Sequence, residues 1–281
     1  MTVRLFVGLP LANGSELSLP PGPARHAQVR RVQPGDMLVL FDGGGCDWPA
    51  EVLAVGRNAV RVRVGAPIAV DTELPLHVTV ALGMPANERM DAVVEKATEL
   101  GVAAIQPLHT ERSVLRLSGE RAEKKRVHWQ AVAEAACEQS GRARIPVVAP
   151  VRAVGDWLTG LPDLVQPVGH GGHGGHGGQG GHGGHGGPLG DSAASLRLLL
   201  SLQPDALPLA QRLATVPGGL KALRVVTLNG PEGGLTPDEE AAARRAGFLP
   251  TSMGARVLRA DTAPLAVLAG LGCLTGLLTA G

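Results

Sequence analysis

The sequence has no tyrosine, and only three phenylalanines and three tryptophans in 281 residues. A protein that binds single-stranded nucleic acid by stacking bases on aromatic rings needs more rings than this, so such platforms are excluded as the main device. Net charge is also lacking, with Lys+Arg 26 against Asp+Glu 25. An overall basic footprint is therefore absent, and any nucleic-acid site has to rest on local clusters of arginine. The three cysteines, Cys46, Cys137 and Cys273, are far apart and lack metal-ligand spacing, which fits reduced, packed thiols and no resident metal. The glycine-rich turn at 230–234 is neither the G-x-G-x-x-G fingerprint nor a P-loop. The N-terminal MTVRLFVGLPLANG carries no signal-peptide pattern, so a cytoplasmic location is expected. Charge is missing again from Thr262 onward, where Gly272 and Gly276 form G-x-x-x-G. Pro264 and the scattered glycines argue for a buried or interface helix there and against a membrane span.

What is present is a globular balance, 44% hydrophobic and 18% charged, over a length that suits two domains. Residues 1–72 show short apolar pieces separated by turns. MLVLF (37–41) follows Pro34-Gly35-Asp36, Asp42-Gly43-Gly44-Gly45 is a hairpin signal, AEVLAV (50–55) returns, and AVRVRV (59–64) alternates with period two. This predicts a small β-barrel. Between its first strands, PARHAQVRRV (23–32) gathers Arg25, His26, Arg30 and Arg31. Such a cluster is either a solvated helix face or a phosphate-contacting patch.

From residue 73 to 281 the pattern becomes alternating strand and helix. Strands are expected at 77–82, 102–108, 145–150, 196–202, 223–228 and 248–253. Helices are expected at 86–101, with Met90, Val93, Val94, Ala97 and Leu100 as the apolar stripe, at 120–139, and at 155–161. This is the pattern of an α/β domain with a largely parallel sheet. It is interrupted at 169–187 by a His/Gly-rich tract, read as a flexible linker, with opportunistic metal capture as the alternative.

Two loops carry the candidate chemistry. Leu228-Asn229-Gly230-Pro231-Glu232-Gly233-Gly234 follows a strand and leads into a helix marked by Thr236, Pro237 and Glu239 as a capping box. Met253-Gly254-Ala255-Arg256-Val257-Leu258-Arg259 follows the next strand and leads into the apolar terminal helix. Adjacent strand-end loops of this kind are where open α/β sheets hold ligands.

GPEGG (230–234) and MGARVLRADTA (253–263), with EKATELGV (95–102), TERS (110–113) and EAACEQSGR (134–142), resemble the RsmE family of bacterial 16S rRNA uridine-N3 methyltransferases, in the SPOUT superfamily. The resemblance covers essentially the whole chain. It departs from the family pattern at Met253, Ala255, Ala260 and Asp261, and the His/Gly tract is not part of it. It implies a PUA-like barrel that binds RNA, then a trefoil-knotted SPOUT domain holding S-adenosyl-L-methionine through three loops. Carried onto this chain, the cofactor-binding residues are Leu202, Gln203, Leu228, Gly230, Gly233, Met253, Gly254, Val257 and Leu258. Arg256 and Arg259 become candidates for stabilising the uridine imide anion, or for pinning their loop. Glu232 becomes a proton acceptor or a partner for the cofactor's amino group. Arg25, His26, Arg30, Arg31, Arg112 and Arg142, with Glu138 and Gln139, fall on the expected RNA-facing side. The resemblance also implies a homodimer acting on the 30S subunit. Alternatives are a SPOUT enzyme acting on another RNA, and a non-catalytic RNA-binding assembly factor.

Overall fold

The computed structural model describes residues 2–57, 59–86, 89–161, 195–216 and 223–274. The His/Gly tract and the last seven residues lie outside them. The chain builds two sheets. The first holds β1 (Arg4–Phe6), β2 (Glu16–Ser18), β3 (Met37–Phe41), β4 (Cys46–Val55), β5 (Val60–Val64) and β6 (Ile68–Ala69), in the order β1-β3-β4-β5-β2 with β6 on β4. The period-two pattern of β5 is realised: Val60, Val62 and Val64 are buried, while Arg61 and Arg63 face out onto Glu16 and Glu51. Helix α1 (Pro21–Val29) touches both β1 and β5, near opposite ends of the strand order. The sheet therefore curls around it, and Ala24 and Ala27 seal a core of Leu5, Leu38, Leu40, Val52 and the β5 valines.

The second sheet is parallel throughout its pairings. Its strands are β7 (His77–Gly83), β8 (Ala104–His109), β9 (Val147–Val148), β10 (Arg152–Ala153), β11 (Ser195–Leu200), β12 (Leu207–Pro208), β13 (Arg224–Asn229) and β14 (Leu249–Ser252). Their order is β10-β8-β7-β13-β11-β14-β12, with β9 on β8. Both faces are covered, which is why the strands are continuously apolar. Val78, Val80, Leu82, Leu198 and Val225 join the core under α2 (Arg89–Glu99), α3 (Gly119–Ser140), α5 (Leu209–Ala214) and α7 (Thr262–Leu274). Ala81, Leu199 and Leu228 face the opposite way, toward α4 (Val154–Thr159) and α6 (Pro237–Arg245), where Trp157 and Phe248 pack together.

Of the predicted helix stripe, Met90, Val93, Val94 and Ala97 are at or near zero exposure, while Leu100 lies just past the end of α2 and is only partly buried. Three expectations need adjusting. The strand expected at 145–150 contracts to Val147–Val148. The hairpin return begins at Cys46, because β4 must reach both β3 and β6. Helix α5 and the short strands β6, β10 and β12 carry too little pattern to be seen in the sequence.

After β14 the chain recrosses the sheet, and α7 packs on β13, β7 and α2. On the way its loop meets the loop that follows β13: Asn229 Nδ2 donates to Ala260 O at 3.2 Å.

The two sheets meet at a polar seam. Arg4 pairs with Asp47 at 2.6 Å and donates to Cys137 O at 2.7 Å, Phe6 N donates to Glu138 at 2.8 Å, and Gly45 N to Ala143 O at 3.1 Å. This seam corrects the expectation for Arg142. Far from facing RNA, Arg142 is 3% exposed, paired with Glu73 and donating to Thr98 O at 2.8 Å. A buried guanidinium requires this full set of partners. Glu138 is likewise occupied at the seam, with His26 Nδ1 at 3.3 Å from its second oxygen.

Candidate active site

The C-terminal ends of β11, β13 and β14 open onto a cavity of about 720 Å³. Its size suits a small organic ligand or cofactor. One wall is the loop Asn229–Gly234, another the loop from Met253 to Ala260, and the third Leu200, Ser201 and Leu202 at the end of β11. Arg89, at the start of α2, completes the rim.

Gly230 of the first loop is sterically required. A Cβ on Gly230 would lie 2.5 Å from the Gly234 carbonyl carbon, so the loop folds onto itself only with hydrogen there. The following helix is held by the predicted capping box: Thr236 Oγ1 accepts from Glu239 N, and Glu239 Oε2 accepts from Thr236 N at 2.8 Å. Asp238, Glu239 and Glu240 fill its first turn. Three carboxylates at a helix N-terminus repel a phosphate, so this glycine-rich turn does not serve as a phosphate cradle.

The charged groups divide into two kinds. Glu232 is engaged: its Oε1 accepts from Arg89 Nη1 at 3.0 Å and from Ala86 N at 3.2 Å. Arg256 and Arg259 are exposed and form neither an ion pair nor a side-chain hydrogen bond with any described residue. Pinning of their own loop is thus not what these side chains do. The Arg259 carbonyl, by contrast, starts α7 by accepting from Thr262 N and Ala263 N.

Most of the expected site residues converge. Leu202, Gly230, Glu232, Gly233, Met253, Arg256, Val257, Leu258 and Arg259 all line the cavity. Leu228 does not; it is fully buried in the core beside Phe248, because the strand alternation turns it away. Gln203 and Gly254 flank the walls without forming them. Sequence reasoning did not single out Ser201, Thr251, Asn229 or Arg89 as lining residues, although Asn229 lay within a loop it assigned to the site. The first three are polar ends of otherwise apolar strands, a signal that was legible. Arg89 lies far away in sequence and joins the site only through the parallel pairing of β7 with β13.

The expected RNA-facing residues separate. Arg25, Arg30 and Arg31 remain exposed on α1 and the turn after it, and Gln28 ties that helix to the Gly56-Arg57 turn, adding Arg57 to the same side. His26 turns inward to Glu138. Arg112 is drawn to the cavity loop, with Nη1 donating to Gly233 O at 2.9 Å and to Leu235 O at 3.3 Å. Among the described residues no cluster could hold a metal ion, and no helix is long and apolar enough to cross a membrane.

Comparison with known proteins places this arrangement. A family model described as an RNA methyltransferase domain matches residues 72–170 and 191–272, and one described as an RNA methyltransferase PUA domain matches residues 24–65. The chain is 34% identical over 249 residues to ribosomal RNA small subunit methyltransferase E of Mycobacterium tuberculosis, covering 89% of this chain and 82% of that protein. It is 30% identical over 275 residues to the Synechocystis protein of the same name, covering 98% and 78%. The chain belongs to the RsmE family.

Solved structures agree with that assignment. The RsmE of Neisseria gonorrhoeae bound to S-adenosyl methionine superposes with a TM-score of 0.79 at 31% identity, covering 98% of both chains. A Legionella pneumophila protein in complex with the cofactor SAM gives 0.79 at 28%, again covering 98% of both. The cavity of this RsmE-family chain fits such a cofactor on its own terms. Leu200, Leu202, Met253, Val257, Leu258 and Ala263 supply an apolar lining, and the two loops supply unhindered backbone around Gly230 and Gly233. Asn229 Oδ1 is buried without a hydrogen-bond partner among the described residues, a vacant acceptor beside the cavity for a ligand N–H.

Proposed function

We propose that this protein transfers the methyl group of S-adenosyl-L-methionine to N3 of a uridine in 16S ribosomal RNA, acting in the cytoplasm as a homodimer on the small subunit. One observation carries the reading: Arg256 and Arg259, which pair with no described residue, line a glycine-walled cavity in a chain of the RsmE family. When bound, the cofactor supplies an electrophilic sulfonium methyl, so alignment with the nucleophile is the main task of the protein. The glycine-walled loop and the loop from Met253 to Ala260 would hold the cofactor through backbone groups. Uridine N3 must lose its proton before or during attack, which leaves negative charge on the flanking carbonyl oxygens. Arg256 and Arg259, with no partner among the described residues, are placed to stabilise that charge. Glu232, oriented by Arg89, offers a carboxylate for the N3 proton or for the cofactor's amino group.

In this reading, residues 1–72 form the PUA-like RNA-binding domain and 73–281 the SPOUT methyltransferase domain. Arg25, Arg30 and Arg31 would meet phosphates. Methyl transfer with labelled cofactor should be compared on 30S subunits, naked 16S rRNA and tRNA. Label at a 3-methyluridine in 16S rRNA, and loss of that nucleoside from the rRNA of cells lacking the protein, is expected. Label only in tRNA would move the target to another RNA, and absence of cofactor binding by calorimetry would make the protein a non-catalytic assembly factor.

A further inference from the structure

The strand order β8-β7-β13 puts β7 between the two strands whose following loops hold Thr110–Arg116 and Gly230–Leu235. These loops nevertheless meet, over the end of β7. They can do so because β7 ends in Gly83: a Cβ there would lie 2.5 Å from Pro231 Cδ and 3.1 Å from Thr110 Cγ2. Across that gap Arg112 donates to the carbonyls of Gly233 and Leu235, and its aliphatic stem lies against Gly233. A second bond joins the same pair of segments, from Glu111 N to Glu239 Oε1 at 2.8 Å, using the oxygen that the capping box leaves over. Arg116 Nη2 in turn holds Glu111 O at 2.9 Å.

We propose that Arg112 is a positioning residue for the cofactor loop, acting through Gly233 and Leu235, and that it is not an RNA contact. The inference rests on the reading of the cavity as the S-adenosyl-L-methionine site. One charged nitrogen, Arg112 Nη1, reaches two carbonyls of one turn at once, and the planar guanidinium holds it there, so Arg112 fixes the curvature that presents Gly230 and Gly233 to the cavity. Loss of that brace lets the loop sample shapes that do not hold the cofactor, and binding has to restore the order.

The test uses the full-length chain with Arg112→Ala, Arg112→Lys and Gly83→Ala. Amide hydrogen exchange across residues 230–235 is measured first, without cofactor. Faster exchange in Arg112→Ala is expected, with partial recovery in Arg112→Lys; unchanged exchange overturns the proposal, whatever the ligand of the cavity. Calorimetry with S-adenosyl-L-methionine should then show about tenfold or greater weakening in Arg112→Ala, the scale of a lost charged hydrogen bond. Lysine should restore part of it, and Gly83→Ala should show a similar defect with Arg112 intact. KM for the cofactor should rise while kcat at saturation holds within about threefold. Wild-type cofactor affinity combined with weakened 16S rRNA binding would make Arg112 an RNA contact and overturn the assignment. Failure of the wild-type chain to bind the cofactor, with exchange still faster in Arg112→Ala, would overturn the cavity reading and leave the brace standing.

Discussion

Arg256 and Arg259 differ from many arginines of this chain in having no ion pair or side-chain hydrogen bond among the described residues. Arg4, Arg61, Arg63, Arg89, Arg126, Arg142 and Arg244 all sit in ion pairs. A cation left unpaired at a cavity keeps its charge available for a ligand. Replacing either with alanine is therefore expected to lower single-turnover methyl transfer by about 10²–10³-fold, the cost of removing one preorganised donor. Cofactor affinity should change by less than about threefold. A cofactor defect as large as the rate defect would place these side chains on the cofactor and not on the base. Asp261 keeps a carboxylate next to this pair, where it accepts from Thr262 Oγ1 at 3.3 Å.

At the scale of elements, α6 is the joint through which the site is built. Its capping box orders the end of the glycine loop, and the spare oxygen of Glu239 reaches the loop after β8. Thr236→Ala should cost about 1 kcal/mol of stability. That corresponds to about 2–4 °C in Tm for a domain of this size. Because the same cap holds Glu239 toward Glu111, cofactor affinity should fall with it. A Tm loss with unchanged cofactor affinity would show that capping and loop order are independent. This joint was partly legible: T-P-D-E announces a capped helix start, and GPEGG announces a turn that approaches a ligand. The second bond of Glu239 was not, because its partner lies in a segment far away in the chain.

At the scale of the molecule, the two sheets are tied at a seam of charges and hydrogen bonds, and one group at the seam carries a cost. Glu134 sits beside a small cleft formed by Phe6, Pro23, His26 and Glu138. Burial, and then the negative charge of Glu138, push its carboxyl above the ordinary glutamate range. A raised acid contributes stability at low pH and loses it as pH rises through its folded value, because the unfolded chain gives up the proton more readily. Glu134→Gln should therefore match or exceed wild-type Tm near pH 7.5, with the gain disappearing below about pH 4.5, where both states are protonated. A gain that persists in acid would trace it to packing.

The sequence by itself determined the alternation of elements, the helix stripes, the caps and the two glycine-bearing loops, because these depend on neighbours within a few residues. It also carried the family, through motifs spread along the chain. Only the tertiary structure decided which charges were available. Arg142 reads in sequence as one more arginine after a helix and proves to be a buried tie to Glu73 and Thr98. Arg112, in the same kind of loop, proves to hold the turn at Gly233. Arg256 and Arg259, indistinguishable from them by type, remain open at the cavity. Residue type fixes the charge of a side chain, whereas its partners are set by the order of strands in the sheet, which brings together loops that no local pattern connects.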